Sequence, residues 1–130
     1  MGIRAMWDDE GQTTLRYVVE GRWTWDEFYA MMDESRRLMD SAPNSRIDMI
    51  VDMTSGNFLP HNALSHFGRL PKSRHPKAGI LVLVGPNAFI RSLVNVIGRL
   101  SARSTTHLLV ADTMEDARQK IAERRSTPAV

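Results

Sequence analysis

The sequence predicts an α/β fold: an opening β-hairpin, then repeated strand-helix units, giving a mixed and mostly parallel sheet of about five strands covered by four helices. Three observations lead there. Ala78-Gly79-Ile80-Leu81-Val82-Leu83-Val84 is an unbroken apolar run, as a central strand covered on both faces requires. Ile47-Asp48-Met49-Ile50-Val51-Asp52-Met53 is a second β-rich run, which crosses the polar turn Thr54-Ser55-Gly56-Asn57 and enters a helix near Pro60. Apolar runs of this kind alternate with helical stripes along the chain, without an internal repeat or low-complexity segment.

The hairpin comes first. Residues 3–7 and 14–20 read as strands around Asp8-Asp9-Glu10-Gly11, with Gly11 expected to supply the permissive backbone. Leu15, Tyr17 and Val19 alternate with Arg16, Val18 and Glu20, the period of a strand with one better-buried face. Thr24-Trp25-Asp26-Glu27 is a capping box: the Thr hydroxyl and the Glu carboxylate satisfy each other's orphan amides. The helix it opens is expected to bury Trp25, Phe28, Tyr29, Met32 and Met39, leaving Trp23 exposed near the edge. Pro43 ends that helix, because proline cannot continue one.

After the strand at residues 47–53, a helix is expected over about residues 60–70. Ala63, Leu64, Phe67 and Leu70 would face inward, with Asn62, Ser65, His66 and Arg69 opposite. Residues 71–77 form a basic loop, and Gly85-Pro86-Asn87 turns the strand 78–84 into a helix over about residues 88–102. Its apolar positions Phe89, Ile90, Leu93, Val94, Val96, Ile97 and Leu100 span an arc of about 160°, wider than the roughly 100° of an ordinary surface helix. Arg91, Asn95 and Arg99 mark its polar side. The surplus must meet another helix or a second subunit, so a homodimer through this helix is expected, with Val94 and Val96 at the margins. The rival cover is the last helix, through Met114, Ala117 and Ile121. Residues 107–111 read as the last strand, and Thr113 with Asp116 caps the helix after it. Residues 126–130 are expected to fray beyond a single domain over residues 1–125.

At 130 residues the chain has the size of one domain, long enough to bury a core without staples. It has no cysteine, which excludes disulfides, thiolate catalysis and Cys-based zinc sites. No signal-peptide pattern opens the sequence, and no apolar run approaches the roughly 20 residues of a membrane span. A cytoplasmic protein with no integral membrane segment is therefore expected. Basic clusters at Arg69, Lys72, Arg74, His75 and Lys77, and at Arg118, Lys120, Arg124 and Arg125, interleave no aromatics. They read as solvated faces, and no nucleic-acid partner is expected.

The hairpin, the strand-helix units and the joint Ile50-Val51-Asp52-Met53-Thr54 leading to Leu59 resemble the STAS domains, which include bacterial anti-sigma-factor antagonists and STAS/SEC14-type proteins. The similarity covers most of the chain as a pattern. It implies a non-enzymatic regulatory module that acts by protein contacts. Family members that act as phospho-switches place a Ser or Thr at the start of the helix after this joint, in an Asp-Ser-Ser/Thr-Gly-Leu sequence. Matching Leu64 to that Leu puts Pro60-His61-Asn62-Ala63 here, so Asn62 takes the phosphoacceptor's place. Asparagine does not accept phosphate as that serine does, so the resemblance implies the module without its usual switch.

In open α/β sheets, ligands and partners meet the carboxyl ends of the strands. The candidate binding surface is accordingly Asp52, Thr54, Ser55, His61, Asn62, His66 and Asn87. Asp52 and Asp112 both end strands and could form a cation or acid/base pair. Each also has a plain structural explanation, Asp52 through its own turn amides and Asp112 beside the cap Thr113. His61 and His66 are five apart, about 140° on a helix, and cannot chelate as an i, i+4 pair does. No phosphate cradle, nucleophile elbow or metal-ligand spacing is present, so no cofactor, metal or catalytic residue is expected. A small apolar ligand under residues 88–102, with Thr54, Ser55, His61 and Asn87 at the mouth, is the second reading. A metal-assisted hydrolase is the third.

Overall fold

In the computed structural model, which describes residues 2–69, 75–100 and 108–126, the two opening apolar runs pair as β1 (Ile3–Trp7) and β2 (Thr14–Val19). Asp9 organises the turn between them. One carboxylate oxygen accepts from the Thr13 and Thr14 amides, both at 3.0 Å, and the other from the Thr13 hydroxyl at 2.5 Å. The left-handed residue there is Gln12, with φ 56°, and not Gly11 as the sequence suggested. The carboxylate's bonds to Thr13 and Thr14 fix the left-handed position one residue later than the glycine rule places it.

Beyond the hairpin the chain runs through α1 (Trp25–Ser41), β3 (Ile47–Asp52), α2 (Ala63–Phe67), β4 (Ala78–Val84), α3 (Ala88–Leu100), β5 (Leu108–Ala111) and α4 (Met114–Ser126). The strands stand in chain order in one sheet; β1 and β2 are antiparallel and the other neighbours are parallel. The alternation of strand and helix thus gives the mixed α/β sheet with four helices that it predicts. Expectations for Leu70, residues 71–74, residues 101–107 and residues 127–130 lie outside the described residues.

Parallel register sorts the side chains onto two faces. On one, Leu15, Tyr17 and Val19 of β2 join Met49, Val51, Leu81 and Leu83, covered by α1 and by Ile90 of α3. On the other, Ile50, Ile80, Val82, Val84 and Ala111 meet Ala117 and Ile121 of α4. Each large aliphatic buried in this way contributes about 1.5–3 kcal/mol. Consecutive crossovers between sequential parallel strands have one hand, so α1 to α3 share a face and only α4 reaches the other. The rival cover for α3 is thereby removed: Met114, Ala117 and Ile121 are spent on the opposite face of the sheet.

The capping box of α1 forms as read, with Glu27 N donating to Thr24 Oγ1 and Thr24 N donating to Glu27 Oε1, each at 3.2 Å. Its inward stripe is rotated from the expected one. Phe28, Met31, Ser35 and Met39 are buried, whereas Tyr29 is exposed and Met32 half-buried. Ser35 is inside because Tyr17 reaches it, hydroxyl to hydroxyl at 2.6 Å. Burial pushes the Tyr17 hydroxyl up to about 12, with the Ser35 bond pulling the other way. The two tryptophans also exchange roles. Trp23 is buried and Trp25 is only half-buried, since Trp25 turns toward the α2 segment.

Candidate functional site

The carboxyl ends of β3, β4 and β5 lie side by side, because Asp52 is paired with Val84 and Val84 with Ala111. Asp52 is buried, and its oxygens are taken by the protein itself. Oδ1 accepts from the Thr54 amide at 3.1 Å and the Thr54 hydroxyl at 2.6 Å, and Oδ2 from Arg16 at 2.9 Å. Burial raises the carboxyl's pKa, but the Thr54 hydroxyl and amide and the Arg16 guanidinium outweigh it and hold Asp52 below the ordinary carboxylate value. Asp52 is an anchor for its own turn, as the turn-amide explanation anticipated.

Thr54 and Ser55 are exposed beyond that anchor. The loop is then fastened to the β4–α3 turn by Asn57, a residue that sequence reasoning passed over. Its amide donates to Met53 O at 3.1 Å and Gly85 O at 3.4 Å, and its oxygen accepts from Asn87 N at 2.8 Å. Asn87 in turn caps α3 by accepting from Ile90 N at 2.9 Å. The signal was available: a polar, turn-favouring residue at the centre of a loop whose backbone amides need partners. Asp112 is engaged with Arg91 at 2.9 Å, out on the exposed side of α3.

His61, Asn62 and His66 are held by a different element. Trp25 Nε1 donates to the His61 carbonyl at 2.6 Å, and the Trp25 ring stacks on His66 with centroids 4.0 Å apart. The Tyr29 hydroxyl meets His66 Nδ1 at 2.5 Å. These contacts turn His66 toward α1 and leave Leu64 exposed, so those two exchange their expected places, while Phe67 packs on the core and Asn62 and Ser65 stay exposed as expected. The helix is also shorter than expected and buries no residue completely. Its first flanking residue, Asn62, has φ 68° and makes no side-chain cap bond. Asparagine is among the few residues that adopt this left-handed backbone readily.

No family model and no curated protein matches this chain.

The candidate residues therefore fall into two groups: Asp52, Thr54 and Asn87 around the strand ends, and His61, Asn62 and His66 on the arm latched to α1. Among the described residues no three His, Asp or Glu side chains converge as a metal site would need. Among the same residues no helix is long and apolar enough to cross a membrane. A cleft of about 200 Å³ lies elsewhere, between the hairpin and α4, lined by Asp8, Asp9, Thr13, Thr14, Arg118 and Arg125 among others. It sits at the amino ends of β2 and β3, away from the candidate loop, and its two arginines are paired: Arg118 with Asp8 at 2.8 Å, Arg125 with the buried Asp48 at 2.7 Å. Asp48 was legible as a charge inside an apolar strand, four residues before Asp52 and so on the same face.

Proposed function

We propose that this chain is a non-enzymatic interaction module of STAS-like type that contacts a protein partner through the 54–62 loop and the arm after it, and that works without a phosphoacceptor serine. The observation that carries this reading is a contrast: Asp52 is buried with both oxygens engaged, while Thr54 and Ser55 next to it, and His61 and Asn62 further along on the arm, are exposed. A carboxylate so neutralised is a poor acid, base or cation ligand, whereas exposed polar groups on a pinned loop suit recognition. The left-handed backbone at Asn62 favours asparagine over the serine of a phospho-switch, the point at which this chain departs from the pattern it resembles.

The test begins with the protein that co-purifies from native cells, identified by mass spectrometry and then produced for binding measurements. A His61→Ala, Asn62→Gly variant keeps the backbone, since Trp25 bonds to the His61 carbonyl and glycine accepts the left-handed φ. It should fold normally and bind that partner more weakly. Unchanged binding removes the loop from the interface. A stoichiometric phosphate on residues 54–65 in the native protein would contradict the switch-free reading.

A further inference from the structure

We infer that the exposed flank of α3 is a self-association seam, and that its occupant is a second copy of this chain in antiparallel, two-fold arrangement. This goes beyond the loop described above and uses none of its residues. Ile90 is buried in the core and fixes the inward direction of α3. At about 100° per residue, Phe89 and Val96 then lie roughly 100–120° to one side of it, and Leu93 about 60° to the same side, between them along the axis. The structure shows the two flanking positions exposed: Phe89 at 64 % and Val96 at 39 %, with Leu93 half-buried. Val94, at the other margin of the apolar arc, is on the opposite side of Ile90 and half-buried, so the exposed surplus lies on the Val96 side alone.

The spacing of Phe89, Leu93 and Val96 is four and then three residues, the repeat by which two helices interlock side chains. Two such stripes run antiparallel about an axis beside Leu93 bring Phe89 of one copy against Val96 of the other, large against small, twice over. The flank also satisfies the charge condition for meeting itself. The one ionic side chain from residue 88 to residue 96 is Arg91, and its guanidinium is bound to Asp112 at 2.9 Å, off the stripe. An intramolecular cover is disfavoured by composition: α4 packs on the other face, and outside the described residues the sequence offers three large apolar side chains, Met1, Leu70 and Val130, each in a different segment. A seam of this length falls short of the roughly 800 Å² per partner of a stable interface, so the dimer belongs to the weak, concentration-dependent class.

Sedimentation of the purified full chain tests this. The wild type is expected to pass from monomer toward dimer across about 1–100 μM, the range of a weak interface. Phe89→Glu and Val96→Lys should each weaken association roughly tenfold or more, because a charge would be buried unpaired, with circular dichroism melts unchanged from wild type. Mixing the two variants should restore association, since the antiparallel register sets Glu at 89 against Lys at 96. A chain that stays monomeric throughout, a dimer indifferent to both charges, or a mixture that fails to associate overturns the proposal. Binding of the loop's own partner is a separate measurement, and its outcome leaves this one untouched.

Discussion

The Asp48 carboxylate, fully buried, accepts a 2.7 Å hydrogen bond from Nε of Arg125, a residue 77 positions further along the chain. Its other oxygen accepts from the Ile80 amide at 2.9 Å and from Arg46 at 3.1 Å. The Arg125 fork continues to the Thr13 carbonyl at 2.6 Å and the Thr14 hydroxyl at 3.2 Å. One guanidinium therefore fastens the end of α4 to the amino ends of β2 and β3. The helix brings few apolar side chains to the sheet, Met114, Ala117 and Ile121, and this ionic clasp ties down its far end.

Removing one side of a buried ion pair costs more than the pair itself contributes, because the other charge is left without compensation. Arg125→Met should lower the unfolding free energy by about 3 kcal/mol, the lower end of the range for a broken buried pair. Arg46→Met should cost about 1 kcal/mol, as its own end of the contact is more solvated. Urea unfolding of the two variants compares them directly. Equal losses would mean that Arg125 has no special place in holding Asp48.

Gly79 is the residue that makes room for this carboxylate. A Cβ at position 79 would collide with Asp48 Oδ1 and come within 2.8 Å of Arg46 Nε. Gly79→Ala is expected to destabilise by about 1–3 kcal/mol, the cost of overpacking a closed site. Asp48→Ala should be destabilising as well, yet the double variant should fall short of the sum, because the second change removes the group that the first one strikes. Strict additivity in thermal or urea melts would place the strain of Gly79→Ala elsewhere.

Acid should unfold the protein partly through Asp52 and Asp9. Burial raises both carboxyls, but hydrogen bonds from Thr54 and Arg16 to Asp52, and from Thr13 and Thr14 to Asp9, leave them below the ordinary value of 3.8. The unfolded chain then takes up these protons first. The stability they contribute is complete above that value and is lost as pH falls through the lowered native ones. Denaturant midpoints measured from about pH 6 down to pH 2 should drop less steeply in Asp9→Asn, Asp52→Asn than in wild type. An identical slope in both proteins would show that these carboxylates carry no native-state preference for charge.

Tyr17 gives the opposite limit. Its hydroxyl is raised from 10.0 to about 12, so the unfolded chain loses this proton first as pH rises. The contribution is present in full below 10.0 and disappears toward about 12. Tyr17→Phe should be less stable at neutral pH by about 1 kcal/mol, since Ser35 loses its partner in the core. It should also lose less of its remaining stability than wild type between those pH values. The absorbance of ionised tyrosine offers an independent readout, in which Tyr17→Phe should remove the component that rises near pH 12.

The order and kind of the elements can be read along the chain, since these rest on local chemistry: apolar runs of strand length, the Thr24 and Thr113 caps, and turn residues between them. The answer to Asp52 from its own turn is legible in the same way, because the Thr54 partner is two residues away. Tertiary structure decided what distance along the chain conceals. Met31 and Met32 are equivalent apolar choices until the helix is laid on the sheet, where a rotation of one step exchanges them, and Trp23 or Trp25 goes inside according to which side of the Thr24 cap meets the core. His66 faces inward because Trp25 and Tyr29, 41 and 37 residues earlier, offer it a ring and a hydroxyl. The Asp48 clasp and the open flank of α3 have the same origin: a buried charge or an apolar stripe can be read locally, but the group that meets it is supplied by whichever element the fold brings alongside.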